Sequence, residues 1–337
     1  MRILLVEPRG FCAGVEMAVK ALAWLVLRAR GEPVFCYHHV VHNERVVARF
    51  ERLGVVFVDD LADVPAGAAL LLSAHGSAPE VAGSPAVTVD AVCPLVAKVH
   101  HELRARAAAG QHVVYVGHAG HDEAEAAMAI APSMTTLVHD PADLPDLGGA
   151  PVALLAQTTL AVREWQAVRD AAAHRYGDVW TPARDDVCYA TTNRQAAVRA
   201  VASRCDAVVV VGSASSSNTA ALAAVATDAG CPVVLRVDGA VDLPADLHVG
   251  TVAVTAGASA PDAAVDEVVR ALGGRVEPFS TVTEEAYFPP PASLRRLLRG
   301  DAAAVALLAR DRHLSADELL THVERVAAGW AAQAVSL

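Results

Sequence analysis

The chain has 337 residues, of which 54% are hydrophobic and only 4% aromatic, so alanine, valine and leucine fill its interior. Its formal net charge of −11 argues against a general nucleic-acid-binding protein, because such proteins present a basic surface. A chain of this length is expected to form two or three domains, here of the α/β class.

No apolar stretch reaches the length that a membrane-spanning helix needs, and the apolar run after Arg2 ends at Glu7, too early for a signal peptide. These features predict a cytoplasmic protein with no membrane partner. In that compartment the six cysteines are expected to be free, catalytic or metal-bound rather than joined in disulfides.

The first predicted elements are a buried strand at Ile3 to Val6 and a helix that begins near Val15. Between them lies Cys12, in a turn flanked by glycines. A thiol at a helix N-terminus is pushed toward the thiolate by the helix dipole. This stretch alone is equally compatible with a small buried cysteine in a tight turn.

The same order of elements then repeats along the chain. Short β-branched strands end in polar loops at 38–43, 73–77, 117–123, 156–160, 212–218 and 255–262. Cys93 and Cys188 each open a helix, whereas the third repeat has no such cysteine unless the Cys12 turn closes the circle. We therefore predict three related α/β units with parallel sheets, arranged pseudo-threefold around a central iron–sulfur cluster. Their predicted bounds are 14–93, 94–188, and 1–13 with 189–285.

Beyond residue 285 the pattern changes to a proline-rich segment and amphipathic helices. The last of these helices has a predicted N-cap at Ser315. Residues 286–337 are therefore predicted to be a C-terminal helical extension that serves docking or dimer contact.

Three cysteines far apart in sequence are the wrong number for a closed tetrahedral zinc site. They are the right number for a [4Fe–4S] cluster with one open iron, since closed electron-transfer clusters use four cysteines. An open iron can bind a substrate oxygen as a Lewis acid and pass it electrons. The remaining cysteines are interpreted as core residues: Cys36, Cys205 and Cys231.

The polar loops combine imidazoles, hydroxyls and an asparagine amide, a donor set that suits a phosphate or diphosphate. His42, His75 and His121 are the candidate histidines, and the loop 212–218 is a candidate anion cradle at a helix N-terminus. The alternative for that loop is a flexible Ser-rich turn. The other histidines are interpreted as polar residues of the protein surface, namely His38, His39, His100, His101 and His118.

Glu123 is the best candidate proton donor, because a buried carboxyl group near a diphosphate would keep its proton at neutral pH. Its neighbour Glu125 is a rival that is better explained as a solvated helix residue. Thr158 could relay a proton or hold a water, and it could also be the N-cap of the helix that follows.

Several long motifs occur in the order found in one enzyme family. They lie at 8–15, 40–43, 73–76, 93–96, 117–121, 157–160, 188–195, 212–218 and 255–262. Over roughly residues 1–290 the chain resembles the iron–sulfur 4-hydroxy-3-methylbut-2-enyl diphosphate reductases (the IspH/LytB family).

The resemblance implies an oxidoreductase of the last step of the methylerythritol phosphate route. Such an enzyme reductively dehydroxylates (E)-4-hydroxy-3-methylbut-2-enyl diphosphate to isopentenyl and dimethylallyl diphosphate, with electrons from ferredoxin or flavodoxin. The implied cluster ligands are Cys12, Cys93 and Cys188. The implied diphosphate-holding residues are His42, His75, Ser216, Ser217, Asn218 and Ser259. His121 would contact the substrate, Glu123 would deliver protons, and Thr158 would lie near the hydroxymethyl end.

Two other functions remain open from the sequence. One is a hydro-lyase with an open iron, which would need no electron donor. The other is a non-catalytic iron–sulfur or zinc protein, such as a redox sensor. The chain also departs from the family pattern at Val92, where a threonine is common, and at 214–215, where the usual pair is more polar.

Overall fold

The computed structural model describes residues 1–79, 81, 86–245, 247 and 249–334. Within these ranges the paired strands form three sheets, and the pairing of neighbouring strands is parallel throughout. The predicted fold class, three α/β units with parallel sheets, is confirmed. None of the described helices combines the length and the apolar character that a membrane span requires.

The first sheet has the order β11-β10-β12-β1-β13. Its strands are β1 (Arg2–Glu7), β10 (Ala207–Val211), β11 (Val233–Val237), β12 (Thr251–Ala256) and β13 (Arg275–Ser280). The second has the order β3-β2-β4-β5, with β2 (Val34–Tyr37), β3 (Val55–Val58), β4 (Ala69–Leu72) and β5 (Val87–Asp90). The third has the order β7-β6-β8-β9, with β6 (His112–Val116), β7 (Thr135–Val138), β8 (Val152–Ala156) and β9 (Val179–Trp180).

The sheets share one strand order, which explains the placement of the cysteines. In the first sheet β1 pairs with β12. In the same position, β5 pairs with β4 in the second sheet and β9 pairs with β8 in the third. These three strands are the ones that lead into Cys12, Cys93 and Cys188. The N-terminal strand therefore completes the third repeat, as the sequence predicts.

The helices follow the strands as the apolar periodicity predicts. They are α1 (Ala13–Ala29), α2 (Glu44–Arg52), α3 (Pro94–Ala108), α4 (Asp122–Ile130), α5 (Val162–Tyr176), α6 (Tyr189–Ala202), α7 (Ser217–Asp228), α8 (Asp262–Leu272), α9 (Ala292–Leu298), α10 (Ala302–Leu308) and α11 (Ala316–Ala334).

Contacts divide the chain into two compact units. The first consists of Met1–Cys12 with Lys98–Glu285, and the second of Ala13–Ala97 with Ala286–Leu337. The first holds the sheets of β1 and β6, and the second holds the sheet of β2 with the C-terminal helices. The four predicted domain bounds are finer than this division and stay a prediction.

Strand β10 shows how the first unit is filled. Val208 and Val210 pack against α6 and α7 on one face, whereas Val209 and Val211 pack towards α8 on the other. Alternate side chains of a strand point to opposite faces, so a strand covered on both sides must be apolar throughout. This is why the sequence runs through four consecutive valines.

In the second unit the C-terminal helices are anchored by a buried polar group. Asp311 is buried and accepts hydrogen bonds from the Tyr287 hydroxyl at 3.0 Å and Trp24 Nε1 at 3.5 Å. Lys20 Nζ donates to the Asp311 backbone oxygen at 3.0 Å. The helix α11 begins with the predicted cap, since Ser315 Oγ accepts from the Glu318 amide at 3.1 Å.

Candidate functional site

The Cys12 turn in the first unit depends on a glycine. Gly10 has φ +65°, and a Cβ added there would lie 3.0 Å from Asp262 Oδ1, so a side chain would be strained and crowded. Two residues later the Cys12 amide donates to the Ala258 carbonyl oxygen at 3.2 Å. The thiol is half-buried at the entrance to α1.

Cys188 is the N-cap of α6. Its sulfur accepts a hydrogen bond from the Thr191 amide at 3.4 Å, and its own amide donates to the Thr158 carbonyl oxygen at 3.0 Å. Burial, together with the nearby charge of Cys12, raises the pKa of this thiol to about 11. These effects outweigh the Thr191 hydrogen bonds at the helix N-terminus, which lower the pKa of the thiol.

The chemistry of this thiol pair fits a cationic partner. Burial and the charge of Cys12 oppose ionisation of the Cys188 thiol, and a nearby positive charge would favour its thiolate form. Iron bound by thiolates supplies such a charge. Both cysteines are free of disulfide bonds, as cluster ligands must be.

Asn218 ties the two thiol turns together. Its Nδ2 donates to Thr191 Oγ1 at 3.3 Å, and its Oδ1 accepts from the Ala258 amide at 3.0 Å. Since Thr191 holds the Cys188 sulfur and Ala258 holds the Cys12 amide, one buried amide side chain fixes the backbone of both turns. We therefore expect both turns to be rigid.

The predicted anion cradle lies at the start of α7, in the same unit. Ser216 Oγ accepts from the Thr219 amide at 3.3 Å and caps the helix. Ser217 Oγ lies 3.3 Å from Gln157 Nε2 and 3.3 Å from Thr159 Oγ1. Ser259 is buried in the neighbouring turn. Hydroxyls and exposed amides at a helix N-terminus can bind an anion, and the assignment of these serines to a diphosphate stays a prediction.

Glu123 is buried, with 2% of its surface exposed, and its carboxylate accepts two hydrogen bonds from Thr158. Its Oε1 accepts from the Thr158 amide at 2.8 Å, and its Oε2 accepts from Thr158 Oγ1 at 3.0 Å. Burial raises the pKa of the Glu123 carboxyl to about 7, even though the Thr158 hydrogen bonds lower it. Near pH 7 the group is therefore protonated about half of the time, which suits a proton donor.

The structure decides between the alternatives for two neighbours. Glu125 is exposed on α4, as predicted for a solvated residue. The interpretation of Thr158 as a helix cap is wrong, because α5 begins at Val162 after Ala161, and the Thr158 hydroxyl is bound to Glu123.

His121 is the N-cap of α4. Its Nδ1 accepts from the Glu123 amide at 3.2 Å. In the neutral ring the proton is therefore on Nε2, which can donate a hydrogen bond to an anion. The same contact fixes the start of the helix that carries Glu123.

The second unit holds the remaining predicted residues, His42, His75 and Cys93. The two imidazole rings are stacked, with centroids 4.0 Å apart and planes inclined by 23°. The Cys93 amide donates to the Ala74 carbonyl oxygen at 3.0 Å, so the cysteine turn and the His75 loop share a backbone contact. Asn43 caps α2 directly after His42.

Sequence reasoning missed two polar residues behind Glu123. The Tyr115 hydroxyl donates to Glu123 Oε1 at 3.5 Å. Asp186 is buried, binds Lys98 Nζ at 3.0 Å, and helps to raise the pKa of Glu123. A hydroxyl inside the apolar run of β6 was the signal for Tyr115.

His100, which we expected on the surface, is buried on α3, where burial lowers its pKa to about 4.

Arg194 was also missed, although it lies within one of the motifs. It is 1% exposed, and its guanidinium donates hydrogen bonds to both thiol turns. Nη2 donates to the Gly10 carbonyl oxygen at 2.9 Å, and Nη1 donates to the Ala190 carbonyl oxygen at 3.0 Å and to Glu284 Oε2 at 3.0 Å. One charge therefore satisfies the backbone of the Cys12 turn and of the Cys188 helix.

Arg194→Met should lower the free energy of unfolding by about 3–5 kcal/mol, because it removes the cationic partner of the half-buried Glu284 carboxylate and the guanidinium hydrogen bonds to two carbonyl oxygens. Denaturant titration of the purified protein would measure the change. Arg199→Met is the matched control, since Arg199 is exposed on the same helix and should change stability little. Equal effects of the two substitutions would contradict the role given to Arg194.

The sequence of the chain is similar to the sequences of known proteins of one family. The family model described as "LytB protein" matches residues 3–273. The 4-hydroxy-3-methylbut-2-enyl diphosphate reductase of Rhodopirellula baltica is 41% identical over 317 residues, which cover 90% of this chain and 99% of that protein. The enzyme named 4-hydroxy-3-methylbut-2-enyl diphosphate reductase 1 of Mycobacterium tuberculosis is 43% identical and covers 87% of this chain and 94% of its own.

A solved structure is also similar. The E-1-hydroxy-2-methyl-but-2-enyl-4-diphosphate reductase from Plasmodium falciparum superposes with a TM-score of 0.83 at 28% identity, over 88% of this chain and 98% of that one. The sequence and the fold agree, and the chain belongs to the LytB protein family.

Proposed function

We propose that this chain is a 4-hydroxy-3-methylbut-2-enyl diphosphate reductase, an oxidoreductase that removes the substrate hydroxyl and forms isopentenyl and dimethylallyl diphosphate. The observation that carries the proposal is the buried Glu123–Thr158 pair, joined to the Cys188 turn through the Thr158 carbonyl oxygen. This arrangement keeps a proton donor beside a metal-ligating thiol. The names of the relatives supply the substrate.

The proposed cofactor is a [4Fe–4S] cluster held by Cys12, Cys93 and Cys188. Each of these cysteines follows the equivalent strand of its sheet and lies at the start of a helix. This shared position supports the ligand set. When bound, such a cluster supplies electrons and an iron that is open to a substrate oxygen. The electron donor would be a ferredoxin or a flavodoxin, and the cytoplasmic location predicted above stays a prediction.

The polar loops would hold the diphosphate. In the first unit the hydroxyls of Ser216, Ser217 and Ser259, the Asn218 amide and the N-terminus of α7 are donors that need no positive charge on the protein. In the second unit the stacked rings of His42 and His75 would add imidazole donors. Uncharged donors of this kind explain how an acidic chain could bind an anionic substrate.

The second task of the chain is to deliver a proton. Loss of a hydroxyl as water consumes protons, and bulk water is excluded from a carboxyl group that is buried to this degree. Protonated Glu123 would give its proton, with the Thr158 hydroxyl as the adjacent relay. His121 would bind the substrate through Nε2–H and keep the first turn of α4 in place.

This account predicts how activity depends on pH. The protonated carboxyl is the active form, so kcat/KM should fall as pH rises through about 7, the pKa of Glu123. Thr158→Val removes a hydrogen bond that lowers this pKa, so the falling limb should move to higher pH. Rate measurements across the pH range for both proteins would test this. A falling limb that Thr158→Val leaves in place, or moves to lower pH, would contradict it.

Dependence on a reductant distinguishes the proposal from a hydro-lyase. Under anaerobic conditions the reconstituted protein should convert hydroxymethylbutenyl diphosphate only when a strong low-potential reductant is present. A hydro-lyase would act equally well without it. A non-catalytic redox sensor would bind iron and leave the diphosphate unchanged in both conditions.

A further inference from the structure

Two buried cysteines outside the site occupy equivalent positions in the first unit. Cys205 lies three residues after the end of α6 and two before β10, and Cys231 lies three residues after the end of α7 and two before β11. The strands β10 and β11 pair in parallel, with Ala207 opposite Val233. Each cysteine stands two residues before this pair, so the two cysteines lie in adjacent helix-to-strand turns at the same end of the sheet.

The spacing of neighbouring strands is compatible with a covalent bond between their turns. Such strands lie about 4.8 Å apart, within the range of about 4.4–6.8 Å that separates the Cα atoms of a disulfide. Both side chains belong to the same buried cluster under α6 and α7, so they lie on the same side of the sheet. Each cysteine residue is only 7% exposed, so the proposed oxidant is a small molecule rather than another protein.

We propose that Cys205 and Cys231 are a redox pair that closes to a reversible disulfide when the protein meets hydrogen peroxide. The thiolate of one cysteine attacks a peroxide oxygen, and the O–O bond breaks with release of water and formation of a sulfenic acid. The second sulfur then attacks the sulfenic sulfur, and a second water leaves. In sum, two thiols and one peroxide give one disulfide and two waters.

The surroundings of the pair set its reactivity. Each sulfur donates to a backbone carbonyl oxygen, Cys205 to Val201 at 3.4 Å and Cys231 to Val233 at 3.2 Å. Burial and the neighbouring Cys231 raise the pKa of Cys205 to about 11, so little thiolate forms at neutral pH. We therefore expect slow oxidation that requires sustained exposure to peroxide.

The bond would join two structural elements that carry functional side chains at their other ends. Helix α6 begins at the Cys188 cap, and the closed loop from 205 to 231 contains the Ser216–Asn218 cradle. A disulfide at the base of both helices would restrict their separation. It should therefore raise the temperature at which this unit unfolds and leave the residues of the site in place.

The sequence supplies a direct readout. Trypsin cuts after Arg204 and Arg236, and the peptide between these cuts contains Cys205 and Cys231 with no other cysteine and no internal cleavage site. The full-length holoprotein would be treated with peroxide, quenched, unfolded in an alkylating reagent and digested. The expected peptide is lighter by two hydrogen atoms and carries no alkyl group, and prior treatment with a thiol reductant restores double alkylation.

A second buried cysteine is the matched control. Cys36 lies alone in a tryptic peptide of the second unit, so it should remain alkylated under the same treatment. The proposal is overturned if the 205–236 peptide stays doubly alkylated after peroxide, or if its sulfurs are oxidised to sulfinic acids without forming a bond. Cys231→Ser provides a further check, because Cys205 should then accumulate as a sulfenic acid that dimedone traps.

Discussion

Glu123→Gln should lower turnover by about 10²- to 10⁴-fold, the usual contribution of a general acid, while leaving the iron content unchanged. The amide keeps the size of the side chain, its oxygen can still accept from the Thr158 amide, and its NH2 group can donate to Thr158 Oγ1, but it has no acidic proton to give. Anaerobic product formation and iron analysis on the same preparation would measure both quantities.

The control for this substitution lies on the same helix. Glu125→Gln removes an exposed carboxyl two residues away and should leave turnover near that of the unmodified protein. If Glu123→Gln retained full turnover, the proton would come from another group. A comparable loss in Glu125→Gln would show that the effect is one of helix charge.

Cys188→Ser should abolish both cluster retention and product formation. A serine hydroxyl is far less acidic than a thiol and is a harder ligand than iron in a cluster prefers. Serine can still cap α6, since Thr191 would donate to its oxygen as it does to the sulfur. We therefore expect a folded protein with little bound iron.

Iron and sulfide analysis, with circular dichroism to confirm folding, would test this substitution. Cys231→Ala is the control, because Cys231 lies in the core of the same unit away from the thiol turns. A Cys188→Ser protein that kept a complete cluster would remove Cys188 from the proposed ligand set. Loss of iron in Cys231→Ala as well would indicate general damage to the fold.

The repeat of strand, polar loop and cysteine was enough to predict the fold, because it arises from local rules. Parallel strands covered on both faces must be apolar, as in β10, and helices begin where caps such as Ser216 and Ser315 occur. The circular closure by β1 was predictable because one repeat lacked a cysteine. The candidate donor Glu123 could be named from the sequence because it ends a polar loop, two residues after His121.

The features that the sequence alone did not predict depend on contacts between residues distant in sequence. The sequence leaves Thr158 open between a proton relay and a helix cap, because its hydroxyl partner, Glu123, lies 35 positions away. Arg194 joins carbonyl oxygens of residues near position 10 and near position 190, which no local pattern can show. His100 lies on a helix face whose cover is set by packing, so its burial was not evident from sequence.

The most direct test of the central claim is an anaerobic turnover assay with the reconstituted protein, a strong low-potential reductant and hydroxymethylbutenyl diphosphate. We predict that isopentenyl and dimethylallyl diphosphate both form, and that neither forms with Cys93→Ser. Absence of product from protein shown to hold a complete cluster would contradict the proposed function. It would mean that these motifs serve another substrate or a sensing role.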